Sequence, residues 1–193
     1  MLIYSGRKCE FENDVMSHII AKNIELAFAR HGIAHNNDRE FIAWQNSLEY
    51  MCKVLNDRSF SEDIQVAIEY QIPQTSKRVD FIVAGCDEQQ RNNVVVIELK
   101  QWEEAERTNK HGIVTTFTGG SIKAVAHPSY QAYSYAKTIE NFNATVQDEC
   151  IGIHPCAYLH NYLEKNRIEI DNELYADIIE LAPLYIKNEE QKL

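Results

Sequence analysis

Residues 94–102 read VVVIELKQW, and this stretch constrains the fold more than any other part of the chain. Its apolar run is typical of a strand at the centre of a sheet. Because side chains alternate along a strand, Glu98 and Lys100 point the same way. A charge on a central strand costs free energy unless it is paired or binds a metal. The pattern therefore predicts a functional site at these two residues; the structural alternative is an edge-strand ion pair worth about 0 to 1 kcal/mol.

A third charged residue, Asp80, lies in SKRVDFIVAG (residues 76–85), the predicted strand before this one. If the two strands pair in the matching register, Asp80 sits beside Glu98. Carboxylate oxygens suit a hard cation such as Mg²⁺, and a lysine can orient or deprotonate water or stabilise charge on a phosphate. These residue types therefore predict metal-assisted hydrolysis of phosphodiester bonds, with Mg²⁺ or Mn²⁺ as the cofactor.

Hydrophobic periodicity predicts a helix on each side of the strand region. Apolar residues at helical spacing indicate a first helix over residues 13–30 and a second over residues 38–56, with Asp38 as the N-cap of the second. A third helix is predicted over residues 127–143, where Pro128 occupies the first turn.

Period-two alternation indicates the strands. In VAIEYQIP it places Val66, Ile68, Tyr70 and Ile72 on one face and Glu69 on the other. IGIHPCAYLHNY (residues 151–162) is a further strand, whereas the polar stretch around Gly112 and Gly119-Gly120 is assigned no helix or strand, and the glycine pair is typical of a turn. The order helix, three strands, helix, strand predicts an α/β or α+β domain with a mixed central sheet flanked by helices.

Length and composition limit the kind of protein. The chain has 193 residues and a formal net charge of −10, with no linker or repeat, so we expect one domain with a helical N-terminal segment (about residues 1–57) and a helical tail (about residues 164–193). Its five cysteines have irregular spacing, and no run is long enough to cross a bilayer, which favours a cytoplasmic protein without disulfides. The acidic charge argues against binding nucleic acid mainly by phosphate neutralisation.

Asp80 followed by Glu98-Leu99-Lys100 resembles the signature of the PD-(D/E)XK nuclease superfamily, whose restriction-endonuclease-like core commonly has the predicted order of elements. Val79 stands where the signature has proline, a departure that many members share. QAYSY, with Gln131 and Tyr135 on one helical face, is similar to the Gln-x-x-x-Tyr motif of the RecB-like branch. Nearly the whole chain resembles the N-terminal nuclease-like region of bacterial Schlafen-like DNA/RNA helicase proteins.

Carried over residue by residue, the resemblance implies that Asp80 and Glu98 bind the metal, with the Leu99 backbone carbonyl as a further ligand, and that Lys100 is catalytic. Gln131 and Tyr135 would support the site. Weaker candidates are two acids that are also expected to be surface charges, Glu69 and Glu49, and four basic residues for backbone contacts to nucleic acid, Lys77, Arg78, Lys110 and Lys123.

The resemblance implies a metal-dependent DNA nuclease acting in phage defence or repair beside a helicase domain. No P-loop motif occurs in this sequence, so we expect a truncated or excised domain without an ATP site. The alternative, favoured by the acidic charge, is a nuclease-fold module that binds nucleic acid or a protein partner without cutting. RNA as the substrate, and a homodimer, both stay open.

Overall fold

Six strands form one mixed sheet at the centre of the computed structural model, which describes residues 1–33, 38–57 and 59–193, with the backbone alone for residues 38–40. The strands are β1 (Tyr4–Arg7), β2 (Gln65–Gln71), β3 (Arg78–Cys86), β4 (Asn92–Lys100), β5 (Glu106–Arg107), β6 (Ile113–Thr118), β7 (Ser121–Ala126), β8 (Gly152–Leu159) and β9 (Leu184–Ile186). The helices are α1 (Lys8–Met16), α2 (Ile20–Arg30), α3 (Asp38–Leu55), α4 (Pro128–Phe142), α5 (Ala144–Asp148) and α6 (Ala176–Leu181), with a 3-10 helix at Glu164–Glu169.

The central sheet has the strand order β1-β2-β3-β4-β8-β9. Its first four strands are antiparallel neighbours, whereas β4 pairs in parallel with β8, and β8 with β9. The strand that carries Glu98 and Lys100 is therefore central, as its apolar run predicts, with Glu98 beside Ala157 in the register. This placement removes the edge-strand alternative.

Helices cover both faces of the sheet. On one face, α1, α2 and α3 bury the largest apolar cluster, which contains Phe11, Phe28 and Phe81. On the other face, α4 packs Ala136 and Ile139 against the sheet. The predicted mixed sheet flanked by helices is thus confirmed, and β2, β3 and β4 form the predicted meander.

The N-terminal helix is predicted as one element over residues 13–30, and this is wrong, because α1 and α2 are separate helices. His18 has a φ of 55°, and the chain reverses there. The His18 amide donates to the Val15 carbonyl at 2.9 Å and the Ile19 amide to the Asp14 carbonyl at 3.0 Å. This is the Schellman arrangement that ends helices, here with histidine in the left-handed position usually held by glycine.

Strand β2 departs from strict alternation. Val66 and Ile68 pack towards α1–α3 as expected, but Glu69 has a φ of 54°, and the following Tyr70 and Ile72 pack on the α4 side of the sheet. The predicted shared face is therefore wrong beyond Ile68. Such a backbone reversal at a non-glycine residue costs about 1 to 3 kcal/mol and concentrates at functional sites.

The polar stretch between β4 and α4, to which the sequence assigns no element, forms a second sheet in the order β5-β6-β7. Val114 of β6 is fully buried in an apolar cluster with Tyr162, Tyr175 and Ile178. The C-terminal segment is only partly helical, since β9 follows α6. The predicted Asp38 cap lies outside the described side chains.

All five cysteines are free thiols, in agreement with the prediction. Within the described ranges, no helix is long and apolar enough to span a bilayer.

Candidate active site

A cleft of about 1010 Å³ opens at the end of the central sheet where β4 leaves it. Ala43 and Ser47 of α3 form one wall, and the tip of the β6–β7 hairpin forms another. Asp80, Leu99 and Lys100 line the cleft between these walls. The predicted catalytic strand therefore ends in a concave site large enough for a nucleotide.

Glu98 lies beneath the cleft with 1% of its surface exposed. Its Oε1 accepts hydrogen bonds from the Lys100 ammonium and from Gln131 Nε2, the second at 2.6 Å. Its Oε2 is buried and accepts no hydrogen bond from a donor side chain, and the Asp80 carboxyl group lies within hydrogen-bonding reach of the Glu98 carboxyl group. A buried carboxylate oxygen normally finds a donor or a cation, so this atom marks a place where a ligand fits.

Asp80 reaches the same place from β3. The paired register between β3 and β4 ends at Phe81 beside Ile97, one residue before Asp80 would stand opposite Glu98. Instead of continuing the ladder, Asp80 Oδ2 accepts the backbone N–H of Leu99 at 2.9 Å. The register on which the prediction depended is the observed one, and it brings the two carboxylates together.

Burial and neighbouring charges shift the pKa values of Glu98 and Lys100. Burial, followed by the nearby Asp80, raises the pKa of Glu98 to about 8. Burial opposes the charged form of Lys100, but the Glu98 and Asp80 carboxylates outweigh it and raise the pKa of the lysine above its ordinary value. Lys100 is therefore a cation at neutral pH, while Glu98 without a cation ligand is held largely in its protonated form.

Gln131 and Tyr135 join this group from α4. Gln131 Nε2 donates to the Tyr135 hydroxyl at 3.0 Å as well as to Glu98, so the glutamine fixes one carboxylate oxygen and is itself fixed by the tyrosine. Burial, followed by the Glu98 charge, raises the pKa of Tyr135. The structure thus brings together all five of the main residues that the sequence singles out.

Glu69 also lies on the cleft wall, and the expectation of an ordinary surface charge is wrong, because it is buried. Trp44 Nε1 donates to its Oε1 at 2.9 Å, and Arg78 approaches its Oε2 at 3.4 Å. Glu69 is therefore held by neighbouring side chains at the position where β2 reverses. Glu49, the other weak candidate, is outside the cleft, with His18 Nδ1 at 4.0 Å.

The basic residues predicted to contact nucleic acid are dispersed. Lys77 lies near the site, with its Nζ 5.6 Å from the Tyr135 ring centroid, and Arg78 is bound to Glu69. Lys123 is at the tip of the β6–β7 hairpin, whereas Lys110 is in the exposed loop before β6. In the part of the chain that the structure describes, Lys100 is the one lysine or arginine that lines the cleft.

Sequence reasoning missed a polar network beside Lys100. Gln101 Nε2 donates to the Ala43 carbonyl at 2.6 Å and to Ser47 Oγ at 3.0 Å. Ser47 Oγ in turn lies 3.0 Å from His160 Nε2, and Asn161 Oδ1 lies 3.2 Å from His160 Nδ1. This chain ties the end of β4 to α3 and to β8. No local motif marks it, because its members come from three distant segments.

No group of three or more His, Cys, Asp or Glu side chains within the described ranges is arranged to hold a metal ion. The site offers two carboxylates, Asp80 and Glu98, which is within the one or two that magnesium sites commonly use. Comparison with protein-family models, with curated proteins and with solved structures finds no match for this chain.

Proposed function

We propose that the protein is a metal-dependent phosphodiesterase whose site is formed by Asp80, Glu98 and Lys100. The observation that carries this proposal is the convergence of two carboxyl groups, Asp80 and the buried Glu98, with the Lys100 ammonium at the edge of a large cleft. A purely structural ion pair would use both carboxylate oxygens or leave the free one in water. Here two donors hold Oε1, whereas a second acid, Asp80, lies beside the Glu98 carboxyl group, so a shared proton or a cation is needed between the two acids.

The residues fit a hard divalent cation. Asp80 and Glu98 would hold it through carboxylate oxygens, with the Leu99 carbonyl as a further ligand. A bound Mg²⁺ or Mn²⁺ supplies a Lewis acid for a phosphate oxygen and lowers the pKa of bound water. Positive charge beside Glu98 also offsets the burial that otherwise favours its protonated form.

Lys100 acts as a cation in this proposal. Its raised pKa keeps it protonated, so it donates hydrogen bonds and cannot take a proton from water. Its partly exposed ammonium is held by Glu98 and lines the cleft, where it would stabilise negative charge that develops on a phosphate. Gln131 keeps Glu98 in place during this step through their hydrogen bond.

Within this class, we propose a PD-(D/E)XK nuclease of the RecB-like branch with a restriction-endonuclease-like core, which acts on DNA beside a helicase domain, in phage defence or repair. Support comes from the order α3, β2, β3, β4, α4, β8, in which the β5–β7 sheet stands between β4 and α4 and the short α5 before β8. The central position of β4 and the contact of Gln131 with Glu98 also support it. RNA shares the same phosphodiester chemistry, so the substrate panel below includes it.

The test is cleavage of supercoiled plasmid, linear duplex, single-stranded DNA and RNA in Mg²⁺, Mn²⁺ or EDTA. We expect metal-dependent cleavage that Lys100→Ala reduces by about 100-fold or more, the scale seen when a group that stabilises transition-state charge is removed. Lys22→Ala, an exposed lysine on α2 away from the cleft, is the matched control. Cleavage in EDTA, or cleavage that survives Glu98→Ala, would contradict the proposal.

The second candidate is a module of the same architecture that binds nucleic acid or a protein without cutting it. Four exposed or half-buried acids on the cleft wall favour a protein as the partner of such a module, since they repel phosphate: Glu103, Glu104, Glu106 and Glu169. Equal binding of nucleic acid in EDTA and in Mg²⁺, with no cleavage of any substrate, would support this candidate. Turnover that requires metal would exclude it.

A further inference from the structure

The β6–β7 hairpin carries an apolar pair at an unusual place. Phe117 and Ile122 are register partners, so they lie side by side on one face of the hairpin, and they are 69% and 74% exposed. Both line the cleft. Most apolar side chains of this size are buried, and this pair adjoins the candidate active site.

The hairpin is anchored at its base and projects at its tip. Val114 is fully buried, and Thr116 Oγ1 donates to the Glu104 carbonyl at 2.7 Å. The tip turns through Gly119 and Gly120, whose φ values of 58° and 84° suit the tight type I′ hairpin turn. The apolar pair is therefore held next to the cleft by a fixed support.

A cation lies at the same tip. The Lys123 ammonium packs over the turn so closely that a Cβ at Gly119 would be 2.7 Å from its Nζ. Side chains alternate along β7, so Lys123 lies on the face of the hairpin opposite Phe117 and Ile122. The cleft wall is acidic, with Glu103 and Glu104 before β5 and Glu106 in β5. An apolar pair beside an acidic wall is a poor surface for two phosphate backbones and a suitable one for an uncharged aromatic ring.

We propose that Phe117 and Ile122 form a platform for one unpaired nucleotide base of a strand that enters the cleft. This deepens the proposed function, on which it rests, by naming the substrate class: a nucleic acid with an unpaired nucleotide at the cleavage site, either a single strand or a frayed end. Base faces stack on apolar and aromatic side chains whatever the sequence, so the platform selects strandedness and not sequence.

The acidic walls support the same assignment. A duplex would bring a second phosphate backbone against Glu104, Glu106 and Glu169, where like charges repel. A single strand can direct its phosphate towards Asp80 and Lys100, where a metal is proposed, and its base towards Phe117. Selection for single strands therefore combines attraction at the hairpin with repulsion at the wall.

The test is binding by fluorescence anisotropy, with Ca²⁺ in place of Mg²⁺ to separate binding from turnover. The probes are a labelled single-stranded oligonucleotide of twelve nucleotides and the matching blunt duplex. We expect the wild type to bind the single strand more tightly. Phe117→Ala/Ile122→Ala should weaken single-strand binding by about 5- to 150-fold, the value of stacking one base, and leave duplex binding unchanged.

Phe142→Ala is the matched control, because Phe142 is an apolar side chain of α4 with 83% exposure outside the cleft lining. It should leave both affinities unchanged. The single variant Phe117→Trp, which retains Ile122, should bind the single strand as the wild type does. In a second readout, 2-aminopurine in the oligonucleotide should lose fluorescence when it binds to the wild type or to Phe117→Trp. It should keep its fluorescence with Phe117→Ala. The proposal is overturned if Phe117→Ala/Ile122→Ala loses the same affinity for both probes or loses none. It is also overturned if the wild type binds neither probe.

The two proposals fail separately. If single-strand binding depends on the hairpin but no substrate is cleaved in Mg²⁺, the base platform is supported and the proposed nuclease activity is contradicted. If cleavage requires metal but the KM for single strands is the same in the wild type and in Phe117→Ala/Ile122→Ala, the nuclease activity is supported and the base platform is contradicted.

Discussion

The protonation of Glu98 gives a prediction about stability that does not depend on finding the substrate. Its pKa rises from an ordinary value of 4.5 to about 8 in the folded protein, chiefly because of burial. Between these two values the folded state holds a proton that the unfolded state has released, so the contribution of Glu98 to stability is largest below its ordinary pKa and is lost as the pH rises through about 8. For these two pKa values, the free energy of unfolding should fall by about 1 kcal/mol between pH 7 and pH 8 without metal.

The pH window isolates this carboxyl group. Burial lowers the pKa of His127 and of His160, so both are neutral in folded and unfolded protein above pH 7. Burial raises the pKa of the thiols Cys52 and Cys156 above their ordinary value of 9.0, so these groups affect stability mainly above pH 8. Lys100 remains charged across the whole range.

The assay is urea unfolding in EDTA at pH 7 and pH 8, for the wild type and Glu98→Gln. Glutamine keeps an oxygen that can accept from Lys100 and Gln131 but has no ionisable proton, so the difference between the two pH values should disappear. Glu140→Gln is the control, since Glu140 is an exposed partner of Lys137 on α4. It should keep the wild-type dependence on pH.

Added Mg²⁺ should stabilise the wild type more at pH 8 than at pH 7, because binding requires the ionised carboxylate. It should have little effect on Glu98→Gln. A wild-type stability that is the same or greater at pH 8 in EDTA would refute the reasoning, since Glu98 would then be ionised without a metal. A slope retained in Glu98→Gln would assign the titration to another group.

Two further predictions concern packing and the polar network. Phe81→Ala removes a fully buried ring that contacts Phe11 edge-on with 5.3 Å between centroids, and it should lower the free energy of unfolding by about 3 to 5 kcal/mol in the same urea assay. Ser47→Ala removes the partner of the buried His160 Nε2 and one of the two acceptors of Gln101 Nε2, and it should cost about 1 to 3 kcal/mol; a cost near zero would show that Ser47 does not tie β4 to α3.

The parts of the fold that follow from sequence are those with strong periodicity. The apolar run of β4 predicts its central position, and alternation predicts the approach of Asp80 to Glu98 on condition that β3 and β4 pair in the register that the structure shows. The i to i+4 spacing of Gln131 and Tyr135 on α4 likewise predicted a shared face. Where a single helix or strand determines which side chains share a face, the sequence is sufficient to predict that face.

The errors lie where tertiary contacts decide. The break at His18 uses a residue that rarely takes a left-handed conformation, and the reversal at Glu69 is held by contacts from Trp44 and Arg78. The β6–β7 strands are short and polar, and they are stabilised by a cluster that includes the distant Tyr175. No local pattern reports such long-range contacts.

The backbone N–H and the side chain of Leu99 make two unrelated contacts. Its N–H holds Asp80, while its side chain packs against the apolar cluster beneath α1–α3. The position of a proposed metal ligand is thus set by a main-chain atom, which no side-chain substitution except proline removes. Many side chains at position 99 are compatible with the chemistry, whereas a change in the core that shifts β4 would misplace Asp80. Activity in this protein should therefore be sensitive to the packing of residues that never contact a substrate.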